Sequence, residues 1–118
     1  MPVLLIAIID DTAKIWDVLD EWTRLGVCGA TILDSGGLRR MQNLRDDLPL
    51  FPSVRDLLNK SEAHHRTILS VLEDDVDVEA VVRATERIVG PLDSPHTGIL
   101  FTLPVLKVWG LRQPGEED

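Results

Sequence analysis

Val3 to Ile9 is a continuous apolar block stopped by Asp10 and Asp11, and a short block of that kind reads as a buried strand. From Thr12 the period lengthens. Ile15, Val18, Leu19, Trp22 and Leu25 recur at helical spacing, with Lys14, Asp17, Asp20, Glu21 and Arg24 between them. Asp11 or Thr12 can cap the start, and Gly26 can supply the left-handed turn that ends the helix. Trp16 falls off the apolar stripe. Gly29 to Asp34 returns as a second strand.

After Gly36-Gly37 the periodic order is lost until roughly His65, a loop (about 36–65) too long for a simple meander and of the kind that usually carries function. Within it only Ser53 to Leu58 reads as a short helix, and Leu48, Leu50 and Phe51 make an apolar stretch that either folds back or docks a client. Order resumes with a strand over Thr67 to Leu72. A second amphipathic helix follows, with the stripe Val78, Val81, Val82, Ile88 and Val89, acidic residues at its start and Gly90-Pro91 at its end. Asp93 to Gly98 is a polar connector, Ile99 to Leu103 a fourth strand, and Val105 to Leu111 a further edge segment after Pro104. Residues 113–118 form an acidic, solvated tail, leaving 1–112 as one folded unit.

The succession strand, helix, strand, long loop, strand, helix, strand predicts an α+β, ferredoxin-like βαββαβ sandwich, because right-handed crossovers place both helices on one sheet face. The other face is then left bare, yet these strands do not alternate into water. A sheet that is apolar on both sides requires a cover, and with no helices left over the expectation is that copies of the chain cover each other.

Composition narrows the class. The 118 residues are 44% apolar and 27% charged, enough for a real core, and the formal charge is −8. Such a surface repels nucleic acid and anionic membranes. Val3 to Ile9 is too short to span a bilayer and lacks the flanks of a secretory leader. A lone cysteine, Cys28, allows no internal disulfide and fits a reducing cytoplasm, where it reads as a small buried hydrophobe.

Candidate chemistry is sparse. Gly36-Gly37 with Arg39 and Arg40 can form a backbone nest and basic clamp for a phosphate or carboxylate, or simply a flexible turn with solvated arginines. Thr97-Gly98 is either a wall of a cleft or a turn. His64-His65 beside Glu62 suggests a metal, but neighbouring residues on a strand point to opposite faces, so one ion seldom takes both. The Asp10-Asp11 and Asp74-Asp75 pairs precede helices, where capping accounts for them.

These segments, in this order, resemble the PII signal-transduction family. Gly26-Val27-Cys28-Gly29-Ala30-Thr31-Ile32 is similar to that family's Gly-Ile-Thr-Gly-Met-Thr-Val, and Gly36-Gly37-Leu38-Arg39 stands where its Gly-Phe-Gly-Arg opens a mobile T-loop. Val71-Leu72-Glu73-Asp74-Asp75 resembles its strand ending in Asp-Asp, and Gly98 to Val105 its Gly-Lys-Ile-Phe-Val-Phe-Pro-Val. The resemblance implies a homotrimer that binds a small anionic effector, with an adenine nucleotide the first candidate, in clefts between subunits. It also implies control of a client protein, a transporter or enzyme, through the long loop. It assigns effector contacts to Thr31, Gly36, Gly37, Arg39, Arg40, Thr97, Gly98 and Arg112, partner contacts to Leu48, Leu50 and Phe51, and no catalytic step and no metal.

The departures from the family are specific. Its phosphate-binding Lys aligns with Ile99, the first of its two late arginines with Gly110, and its T-loop Gln with Arg40; there is no tyrosine to uridylylate. Two lost cationic contacts at about 1–3 kcal/mol each weaken triphosphate binding by roughly two to four decades. Two alternatives share the fold: a structural trimer without an effector, and a metal-handling protein related to the divalent-cation-tolerance trimers.

Overall fold

The computed structural model describes residues 1–36 and 64–111, His64 as backbone only. Gly37, Arg39, Arg40, Leu48, Leu50, Phe51, Arg112, the expected helix over Ser53 to Leu58 and the tail at 113–118 lie outside the described residues.

Among the described residues four strands make one antiparallel sheet: β1 Val3–Ile9, β2 Thr31–Gly36, β3 His64–Leu72 and β4 Gly98–Pro104, in the order β2-β3-β1-β4. Helices α1 (Ile15–Arg24) and α2 (Val78–Val89) fill the two crossovers. This is the ferredoxin-like arrangement that the pattern of apolar blocks predicts. β3 starts three residues earlier than expected, so His64, His65 and Arg66 belong to it, and β2 runs on to Gly36. No strand forms over residues 105–111, where a further edge segment was expected; just after Pro104 the Val105 N–H donates to the Pro2 carbonyl at 3.0 Å.

Alternation on β1 sorts the two faces. Leu5, Ala7 and Ile9 are fully buried beneath the helices, joined by Ile68 and Leu72 of β3, Val18 and Trp22 of α1, and Val81 and Ala84 of α2. Burying such side chains contributes about 1.5–3 kcal/mol each for the larger ones. The stripe on α1 is as expected: Ile15, Val18 and Trp22 are buried, Leu19 and Leu25 pack at its margin, and Trp16 is 75% exposed. On α2 the core face also takes Ala84 and Thr85. The Thr85 hydroxyl, donating to the Val81 carbonyl at 2.8 Å, satisfies itself within the helix.

Local chemistry ends the helices where it should. Asp11 accepts from the Ala13 N–H to open the short 3-10 turn before α1, and Gly26 (φ 98°) takes the left-handed position after it. The cap of α2 is Asp77, whose carboxylate accepts from the Ala80 N–H at 3.2 Å, rather than Asp74 or Asp75: the strand ends at Leu72 and a turn intervenes before the helix begins. Arg24 donates to Glu21 at 2.7 Å in the last turn of α1, and that hydrogen bond, reinforced by its charge, holds the Glu21 carboxyl below its ordinary range.

Among the described residues, no helix lies on the opposite face of the sheet. Residues opposite one another in register share a face, which places Thr31, Leu69, Ile6 and Phe101 in one row and Leu33, Thr67, Ile8 and Ile99 in the next. Leu33, Ile99, Phe101 and Leu103 are exposed there. The apolar second face inferred from sequence is therefore a physical surface, continuous across all four strands.

Candidate functional site

Two hollows open at opposite ends of the bare face. The first, about 550 Å³, lies where β2 leads into the long loop; Gly36, His65, Asp10, His96, Gly98 and Ile99 are among its lining residues. The second, about 360 Å³, lies at the other end and includes Cys28, Gly29, Thr31, Leu69 and Leu111. Thr31 and Gly36 are the first and last of the six residues of β2, roughly 17 Å of extended chain apart.

The first hollow depends on a close approach. Gly98 has φ 140°, and a Cβ there would lie 2.2 Å from the Ile8 carbonyl oxygen. Only glycine lets β4 start against the end of β1, where the Asp10 N–H then donates to the Thr97 carbonyl at 3.3 Å. The connector ahead of Gly98 is tied to itself. The Thr97 hydroxyl donates to the Ser94 carbonyl at 2.8 Å, the Ser94 N–H to the Pro91 carbonyl, and the Leu92 N–H to the Glu86 carboxylate at 2.9 Å. His96 holds φ 65° at the tip. These bonds give the hollow a fixed wall on the β4 side.

His65 lines the opposite side of the hollow, and Ser35 sits directly across from it on β2, its hydroxyl the partner of the ring. That hydroxyl lies 2.8 Å from His65 Nδ1 and 2.9 Å from Thr67 Oγ1, so three side chains on two strands form one polar chain in an otherwise apolar face. On the helix side of the same strands, Arg66 and Asp34 form an ion pair at 2.6 Å. Asp10 lines the hollow, and it is Asp11 that caps the turn before α1.

The structure thus puts Gly36 and Gly98, on the two outer strands of the sheet, along one hollow, puts Thr31 at the far end with Leu111, and turns the Thr97 hydroxyl into its own loop. Ile99, which the resemblance alone aligns with a phosphate-binding Lys, is 54% exposed on the bare face and lines the first hollow. Gly110 lines the second. Cys28 is exposed, not buried, its thiol 3.7 Å from the Gly26 carbonyl. The reason is topological: residues 28–30 run along the outer margin before β2 begins, held by Ser70, whose hydroxyl donates to the Gly29 carbonyl. Among the described residues no three His, Cys, Asp or Glu side chains gather as a metal site, and no helix is long and apolar enough to cross a membrane.

Sequence reasoning gives Ser35 no role, His65 only that of a metal candidate and Asp10 only that of a cap, and it brings none of them to this hollow. A period-2 reading extended back from Leu69 through Thr67 to His65 places the imidazole on the bare face, which is the signal that was available.

No family model matches the chain, and no curated protein does. Solved structures do. The Bacillus subtilis (B. subtilis) GlnK–ATP complex is 17% identical over 86% of this chain and 80% of that one, with a TM-score of 0.53. B. subtilis GlnK is 16% identical over 90% of this chain and 87% of that one, with a TM-score of 0.54. The chain has the PII ferredoxin-like fold in a divergent form.

Proposed function

We propose that this is a PII-type regulatory protein: a homotrimer that binds a small anionic effector between subunits and conveys occupancy to a client protein through the loop after Gly36. The observation that carries this reading is the pairing of a bare apolar sheet face with two half-hollows at its opposite ends. When copies pack by that face, the Thr31 end of one copy and the Gly36–Gly98 end of its neighbour complete a single cleft. Gly36, Gly37, Arg39 and Arg40 would meet the anion from the loop side, Gly98 and the Thr97 backbone from the connector side, and Thr31 and Arg112 from the neighbour. No chemical step is assigned. The effector acts by selecting loop states that engage or release the client, with Leu48, Leu50 and Phe51 as the contact, in the cytoplasm.

The likeness to a GlnK–ATP complex makes adenine nucleotides the first ligands to test. Calorimetric titration with ATP, ADP, bicarbonate and 2-oxoglutarate is the experiment; heat with a one-per-subunit stoichiometry is expected for at least one, and silence across the panel would remove the effector. The second reading, an interaction trimer without effector, draws on apolar Ile99 standing in the hollow where an anion would need a cation. It expects client binding that is lost on deleting residues 40–60 and indifferent to nucleotide.

A further inference from the structure

We propose that the outer edge of β2, with the groove between it and α1, is a docking site for an extended, basic segment of a partner protein, which joins the sheet as a further strand. The inference is independent of the effector reading above. The strand edge is the first observation. Among the described residues β2 is hydrogen-bonded on one side, to β3, so alternate backbone N–H and C=O groups of Thr31–Gly36 point outward. Proteins commonly blunt such an edge with lysine, proline or a bulge. β2 holds neither lysine nor proline, and it pairs with β3 residue for residue from Thr31 to Gly36.

Beside that edge, on the helix side of the sheet, lies a groove of about 220 Å³ whose lining includes Leu19, Trp22 and Thr23 of α1, Val27 and Ala30 after it, and Ile32 of β2. It is smaller than the roughly 300–1,000 Å³ of small-molecule pockets and suits single apolar side chains. Residues alternate faces along a strand, so a strand added to β2 sends every second side chain to the groove's side, where Ile32 is 40% exposed. Trp16, three residues before Leu19, carries the apolar strip further along α1 and is itself exposed. Charge names the partner. Lys14 pairs with Asp11 and Arg24 with Glu21, whereas Asp17 and Asp20 are exposed and make no ion pair among the described residues. Asp20 follows Trp16 by four residues and precedes Thr23 by three, which sets it on the groove's flank of the helix. On a chain with a formal charge of −8, a segment carrying Lys or Arg is attracted and an acidic one repelled. Copies packed by the bare face leave this side of the sheet open.

The probe is a labelled nonapeptide in which Thr alternates with Arg, Ile, Ile and Arg, so that one face carries apolar anchors between cations and the other is neutral. Titrated against the full chain at low ionic strength and read by fluorescence anisotropy, it should bind saturably, one per chain, and slow amide exchange at alternate residues of β2. The same peptide N-methylated throughout keeps its side chains and charge but donates no backbone hydrogen bond, and it should bind at least about tenfold more weakly. Asp17→Lys with Asp20→Lys, both on the exposed side of α1, should weaken the parent peptide by about tenfold or more, and Thr23→Arg, which fills the groove, by a similar factor. No saturable binding up to about 1 mM overturns the proposal, as does an N-methylated peptide that binds as well as its parent. Amide protection along the β2 edge of the free protein that is lost on dilution also overturns it, because a second copy then occupies the edge.

Discussion

The indole N–H of Trp22 donates to the hydroxyl of Thr85 across 2.9 Å, with both side chains buried. This bond pins α1 to α2 in the middle of the layer that covers the sheet, and it fixes how the largest core side chain sits. Both groups are closed off from solvent, so the indole has no exposed alternative partner. Thr85→Val keeps the shape and leaves that N–H unpaired, which should cost about 1–3 kcal/mol. Thr85→Ser should recover most of it. Urea unfolding at one fixed protein concentration reads the difference.

Gly98 is the point at which β4 can begin. Gly98→Ala places a methyl group inside the contact radius of the Ile8 carbonyl, and the backbone must move to relieve it. The expected loss is about 3 kcal/mol, near the upper end for single substitutions, together with faster amide exchange at Asp10 and Ile99. A change under about 0.5 kcal/mol, the size usual for surface sites, would show that the strand pairing is looser than described.

Asp77 supplies the side-chain cap seen at the start of α2. Asp77→Ala should cost about 1 kcal/mol, whereas Asp74→Ala and Asp75→Ala should cost markedly less. Thermal unfolding of the three variants side by side makes the comparison.

Much of this architecture was legible in the chain. The apolar block Val3–Ile9, the helical stripe from Ile15 to Leu25 and the glycine at 26 each have one physical solution, so strand, helix and stop follow locally. What was not legible depends on neighbours distant in sequence. Cys28 looks like a core residue until the turn after α1 carries it to the margin. Val105 to Leu111 has strand-like composition, but β4 already occupies the sheet edge beside β1, and Trp109 stays 81% exposed. Asp74 and Asp75 look like caps because the turn after Leu72 cannot be counted in advance. At the candidate site, Gly36 and Gly98 could be named from sequence, whereas the Ser35–His65–Thr67 chain requires the β2–β3 register.

The bare face makes a direct demand. Phe101 and Leu69 lie in one row at its centre, so Phe101→Glu or Leu69→Glu leaves the helix-covered core untouched and puts a charge where a second copy must pack. Burying an unpaired carboxylate is prohibitive. Both variants should keep wild-type helical circular dichroism and lose self-association, and with it any effector binding that needs two copies.

Sedimentation equilibrium of the wild-type protein at micromolar concentration is the measurement on which the account turns. With a chain of 13.2 kDa, a species of about three times that mass, stable to dilution, is the expected result. A well-behaved monomer across the same range would contradict the account, because it would leave the apolar face solvated and each half-hollow without its other half.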